Sequence, residues 1–148
     1  MEKAKIDRFI MINGKYFPTM MIKNVKTKLE SLDENKESML LVTKWKNPNT
    51  AFIFAFLLGN FGVDRFWLGQ KGLGVVKLIT FLGFYILYLI QSYQLLLAGG
   101  FNADCFDTRQ VIVMYITLGC GQIWWLIDLF TVFGRAKKYN YNKLMTFF

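Results

Sequence analysis

Residues 78–98 run for 21 positions without a charge, and residues 111–133 run for 23 with only Asp128. At ~1.5 Å per residue either stretch makes a helix of roughly 30–35 Å, enough to cross a hydrocarbon core of about 30 Å. Such runs dominate what a 148-residue chain can fold into. The 54% hydrophobic content argues against a soluble globular protein. Only 19% charged residues and two Pro exclude an intrinsically disordered chain. There is no His, so the commonest general base and metal ligand are absent. Cys105 and Cys120 are too few for a structural zinc site or a disulfide-built fold. A membrane protein without cofactor or metal is expected.

The charges frame the apolar centre. Residues 1–49 carry ten basic and six acidic side chains, and residues 134–148 carry four basic and no acidic ones, so each end has a net charge of +4. Inside lie Asp64, Arg65, Lys71 and Lys77, then Asp104, Asp107 and Arg109, then Asp128. Basic ends on an apolar chain point to anionic lipid rather than to nucleic acid. Residues 1–7 are charged and no apolar signal-peptide core follows them, so the first membrane segment is expected to act as its own insertion signal.

That first segment, residues 51–63, is only 13 long, about 20 Å as a helix. Extending it to residue 68 would bury Asp64 and Arg65, at ~2.5–3.5 kcal/mol each. If three segments cross, a cytoplasmic N-terminus leaves the basic C-terminal tail outside, against the positive-inside tendency. Two full spans with a short re-entrant or interfacial first segment keep both basic ends inside. Charge therefore favours two spans.

Residues 1–48 read as a cytoplasmic leader. The apolar run Phe9-Ile10-Met11-Ile12, then Asn13-Gly14, then Lys15-Tyr16-Phe17 predicts a β-hairpin on a type I′ turn. Pro18 suits the start of a following helix, where Met21, Val25, Leu29 and Leu32 recur at helical spacing. Ser31 and Glu34 fit a capping box opening a second helix at Leu32 that runs toward Trp45 and ends at Pro48. Some 48 residues are few for a self-sufficient core, so docking on the membrane, on the membrane domain or on a second copy is expected.

Gly59-Asn60-Phe61-Gly62-Val63-Asp64-Arg65-Phe66-Trp67-Leu68-Gly69 resembles the characteristic loop of the TM2 domain family. The continuation Gly72-Leu73-Gly74-Val75-Val76-Lys77-Leu78-Ile79-Thr80 resembles it too. So does Gly121-Gln122-Ile123-Trp124-Trp125-Leu126-Ile127-Asp128-Leu129-Phe130, with Gly134 and Asn140 beyond. The likeness touches about 45 positions within residues 46–142, and the start of the chain is similar to the cytoplasmic leader of bacterial members. The resemblance implies a small multi-pass protein of a bacterial inner membrane, with the Asp-Arg-Phe loop between two membrane helices and no established chemistry. One departure stands out: residues of about 82–118 intervene where the family runs almost directly from one motif to the next.

The candidate functional residues are Asp64, Arg65, Phe66, Lys77, Gln91, Trp124 and Asp128. Asp64 and Arg65 form a charge pair, gate or ligand contact, or else an interfacial loop with Arg65 snorkelling to phosphate beside the aromatic Phe66 and Trp67. Adjacent side chains on a helix point apart, so direct neutralisation between the two is not expected. Asp128 is an intramembrane carboxylate whose partners would be Arg65 or Lys77, or which would line a polar path. Lys77, Thr80, Tyr88, Gln91 and Gln94 share one helical face; Thr117, Gly121, Trp124, Asp128 and Thr131 share another. Such stripes serve helix packing or line a pore.

The expected architecture is an all-α membrane domain at residues 49–134, with two or three transmembrane or re-entrant helices. A hairpin-plus-helix leader precedes it and a basic tail at 135–148 follows. The expected function is non-enzymatic: a self-associating membrane scaffold or sensor presenting its basic leader to a cytoplasmic partner, on a bilayer with anionic headgroups. The competing reading is a homo-oligomeric ion-conducting or membrane-permeabilising effector.

Overall fold

The computed structural model describes residues 1–97 and 108–148, and among them every regular element is helical. In chain order these are α1 Lys3–Asn13, α2 Ile22–Glu30, α3 Glu34–Leu41, α4 Pro48–Leu58, α5 Val63–Trp67, α6 Lys71–Leu97 and α7 Thr108–Met145. Short 3-10 turns occupy Gly14–Tyr16, Thr19–Met21 and Gly59–Phe61. Two compact units result: Met1–Ile53 with Thr131–Phe148, and Phe54–Phe130. The helices α4 and α7 supply residues to both. Cys105 and the loop holding it lie outside the described residues.

The first unit replaces the predicted hairpin with helix. A type I′ turn needs positive φ at both central residues, yet Asn13 has φ −107° and Gly14 has φ −55°. The run from Phe9 to Ile12 is the end of α1. Ile6 and Phe9, three apart, face inward, while Met11 and Ile12 stay exposed. The capping box also fails. The Ser31 hydroxyl donates to the Lys28 carbonyl at 2.9 Å, Asp33 precedes α3, and α3 stops at Leu41, short of Trp45. Pro48 opens α4 instead of closing a helix, at the first helical position where its missing N–H has no cost. The predicted inward stripe holds at Val25, Leu29 and Leu32, all buried; Met21 is exposed.

The core of this unit joins both chain ends. Leu144 of α7 is packed with Ile6, Phe9, Phe17, Val25, Leu29, Leu32 and Leu40, and Trp45 stacks edge-on against Phe9 and Phe17. Asn140 is fully buried. Its Nδ2 donates to the Tyr16 carbonyl at 3.0 Å and the Lys46 carbonyl at 2.8 Å, and its Oδ1 accepts the Lys46 N–H at 2.9 Å. Further ties run from Asn24 to Tyr141, from Lys36 to the Phe147 carbonyl and from Lys143 to the Lys44 carbonyl. Lys5 lies 2.9 Å from Glu37, and this hydrogen bond raises the ammonium's pKa above its ordinary value.

The second unit is built on close backbone approach. Gly62 has φ +73°, and a Cβ there would stand 2.8 Å from the Gly74 carbonyl oxygen of α6. The chain thus turns sharply from the Gly59–Phe61 turn into α5 and lies directly against α6. Gly59 gives similar room to Trp125, whose indole Nε1 donates to the Ala55 carbonyl at 3.0 Å. Gly62→Ala combines left-handed strain with a backbone clash, so an expected loss of about 2–4 kcal/mol follows. Thermal unfolding in mild detergent checks it against Gly72→Ala, where nothing lies within 4 Å of the added methyl group.

Among the described residues one helix is long and apolar enough to cross a membrane, Lys71–Gln94 in α6. It buries little of itself: Val76, Ile79, Ile86, Leu89 and Ile90 are exposed, as a helix facing hydrocarbon requires. The apolar stretch Pro48–Phe61 is shorter.

Candidate functional site

Four of the seven candidate residues meet in the second unit. Asp64 and Arg65 come from α5, Lys77 from α6 and Asp128 from α7. The Gly62 turn makes this possible: it starts α5 as a single helical turn, whose Asp64 faces inward and is fully buried. Lys77 and Asp128 are buried as well. Arg65 Nη2 donates to one Asp128 oxygen and Lys77 Nζ to the other. On the other side, Arg65 Nε and Lys77 Nζ each lie 3.7 Å from an Asp64 oxygen. Each carboxylate therefore faces both cations, and two negative charges balance two positive ones.

Two expectations need correction. Asp64 and Arg65 are adjacent on a helix yet come within ion-pair distance, because the guanidinium reaches back across the one-turn helix. Arg65 does not snorkel toward headgroup phosphate. Its side chain is only 16% exposed, held by Asp128 and by Gln70, whose Oε1 accepts from Nη1 at 3.1 Å. Of the two partners read for Asp128, the structure uses both.

The other candidates lie around or apart from this network. Phe66 lays its ring against Gly74, where a Cβ would approach to 3.0 Å, and stays partly exposed. Trp124 lines a water-sized void of about 30 Å³ with Asn60, Lys77, Thr80 and Phe81. Gln91 sits fourteen residues beyond Lys77, about 21 Å along α6, and does not join. A neighbouring cleft of about 340 Å³ is walled by Phe81, Phe84, Tyr85 and Tyr88 of α6 and by Leu118, Gly121 and Gln122 of α7, with Asn60 at its edge. Cys120 is a free, exposed thiol on α7.

Gln70 and Asn60 were not among the residues singled out as functional. The signal for Gln70 in the sequence is weak: a polar side chain five residues past an arginine in an apolar setting. Among the described residues, no three of Cys, Asp and Glu gather where they could hold a metal ion. Chemically the network is an electrostatic cross-link. Removing a partner from such a buried set costs far more than the set itself contributes, because an uncompensated charge is left behind. Its Asp128 carboxylate is already shared by two cations, so it does not offer the bare negative charge that a cation-selective lining uses.

Residues 44–93 match the family model described as the TM2 domain. The chain is similar to TM2 domain-containing protein 2 of Xenopus laevis, 45% identical over 55 residues, covering 37% of this chain and 28% of that protein. It is also similar to the TM2 domain-containing protein biscotti of Drosophila melanogaster, 42% identical over 51 residues, covering 32% of this chain and 29% of that one. The chain thus spans under a third of the length of these relatives. No solved structure matches it. The matched residues hold Asp64, Arg65, Phe66, Lys77 and Gln91 and stop before Trp124 and Asp128, which α7 brings to the same place. With the Asp-Arg-Phe turn, its glycines and nearly all of the candidate membrane span after it inside the match, residues 44–93 are a TM2 domain and the chain that carries it is a membrane protein.

Proposed function

We propose that this chain is a non-enzymatic membrane scaffold that crosses the bilayer twice and carries one basic head on the cytoplasmic side. The carrying observation is the first unit, in which leader and tail share a core around Leu144 and Asn140. Two chain ends folded into one core belong on one side of a membrane, which requires an even number of crossings. Helix α6 is one, and in this reading the second is residues 111–133 of α7, 23 positions whose one charge is Asp128. At 11 residues and about 17 Å, α4 is too short to supply a third and serves as the short re-entrant or interfacial segment.

Charge supports the same arrangement. All four acids and four bases of residues 54–130 cancel, so the whole net charge of +8 lies in residues 1–53 and 131–148. A head of this sign belongs on the cytoplasmic face by the positive-inside tendency. Self-association is the second part of the proposal. Gln94 is exposed and Gln91 half-exposed on the far half of α6, and amides in hydrocarbon seek partners on a neighbouring helix. The four-charge network then acts as an internal lock that fixes the membrane helices while the head engages its partner.

The test is twofold. Single cysteines at Glu2 and at Phe148, in a chain with Cys105 and Cys120 replaced by Ser, are expected to react with an impermeant maleimide from the same side of sealed vesicles. Labelling from opposite sides would sink the two-crossing arrangement. Mass measurement in lipid nanodiscs is expected to give a dimer or larger; a monomer would remove the self-association.

A further inference from the structure

The head's first two helices form a hairpin whose tip is both apolar and purely basic. α1 packs against α2, and the tip between them holds the end of α1, the two 3-10 turns and the start of α2. Four large apolar side chains are exposed there: Met11, Ile12, Met20 and Met21, with Met20 at 99% and Met11 at 89%. From Arg8 to Leu29 the chain has five bases, Arg8, Lys15, Lys23, Lys26 and Lys28, and no acid. Of these, Lys26 is paired with Asp7 at 2.7 Å. Within residues 1–53 the acids otherwise fall at Glu2 and after residue 29, so the tip belongs to the longest acid-free stretch of the leader.

We infer that this tip is a membrane-reading element: Met11, Ile12, Met20 and Met21 insert into the interface of an anionic leaflet while Lys15 and Lys23 contact its headgroups. The inference deepens the scaffold reading and rests on it, because the head must stand beside a bilayer. Exposed apolar side chains flanked by Lys15 and Lys23, with no acid between Arg8 and Leu29, match a surface that is apolar below and negative above. An acidic protein would satisfy the lysines alone. It gives no reason for four apolar residues to stand in water beside Lys15 and Lys23. Tethering by α4 and α7 keeps the tip at high effective concentration near lipid, so a weak contact suffices.

The experiment uses the full chain, with Cys105 and Cys120 replaced by Ser, in nanodiscs of phosphatidylcholine or of phosphatidylcholine with phosphatidylglycerol. An environment-sensitive fluorophore is placed by Met20→Cys at the tip, or by Glu30→Cys at the other end of α2. In the anionic discs the tip label is expected to shift to the blue and to be quenched by nitroxide-labelled lipid, while the Glu30 position stays in water. Raising the ionic strength from about 0.15 to about 1 M shortens the screening length from about 8 to about 3 Å and is expected to release the tip. Lys15→Gln and Lys23→Gln are each expected to lower the lipid-bound ratio about fivefold. A tip label equally wet in both lipids overturns the inference, as does quenching that ignores lipid charge and salt. Failure of the scaffold reading looks different: the leader and tail then label from opposite sides, whatever the tip does.

Discussion

Asp128→Leu is expected to destabilise the membrane unit by about 3–5 kcal/mol, the range for removing one partner from a buried ionic set. The variant leaves Arg65 and Lys77 facing Asp64 alone, a net charge of +1 in a site whose acids and lysine are buried. Asp128→Asn keeps the shape and loses the charge, so it should fall between Leu and the native chain. The decisive comparison is the double variant Asp128→Leu with Lys77→Met. It restores one acid and one base, Asp64 and Arg65, and is expected to recover most of the loss. Reversible unfolding in bicelles, followed by Trp fluorescence, gives the four corners of the cycle. Additive losses would show that Lys77 and Asp128 are not coupled and that the network is not a lock.

The parts of this site that the sequence disclosed were those tied to membrane cost. A carboxylate at 128 inside an apolar run demands a cation, and only Arg65, Lys71, Lys77 and Arg109 stand in the membrane half of the chain. Arg65 and Lys77 were therefore legible as partners. That Asp64 would turn to the same point was not, because an ordinary helix separates neighbours; the left-handed Gly62 and the single turn of α5 alter that geometry. The leader went wrong for a related reason. A run of four apolar residues beside Asn-Gly suits a strand as well as a helix end. The deciding contact is Ile6 with Phe9, three residues apart, against a core assembled largely from distant segments. One of those is Leu144, more than 130 residues away. Nothing local to the first 20 residues records it.

The tail residue Asn140 carries the second large effect. It was visible only as an outlying position in the family resemblance, yet it is fully buried and makes three hydrogen bonds to the backbone of the leader. Asn140→Ala would strand the Lys46 N–H and leave the Tyr16 and Lys46 carbonyls short of a donor. At about 1–3 kcal/mol for each buried group left unsatisfied, the expected loss is at least about 3 kcal/mol. Asn140→Asp separates hydrogen bonding from shape: it keeps the acceptor for the Lys46 N–H but faces two carbonyls with a negative oxygen, so it is expected to be no better than Ala. Hydrogen exchange in nanodiscs locates the damage. Amides of α1, α2 and α3 should lose protection while α6 keeps its own, because the lesion lies in the first unit and α6 does not enter it. If the leader stays protected, its core does not depend on the tail. The basis for placing both chain ends on one side of the membrane would then be gone.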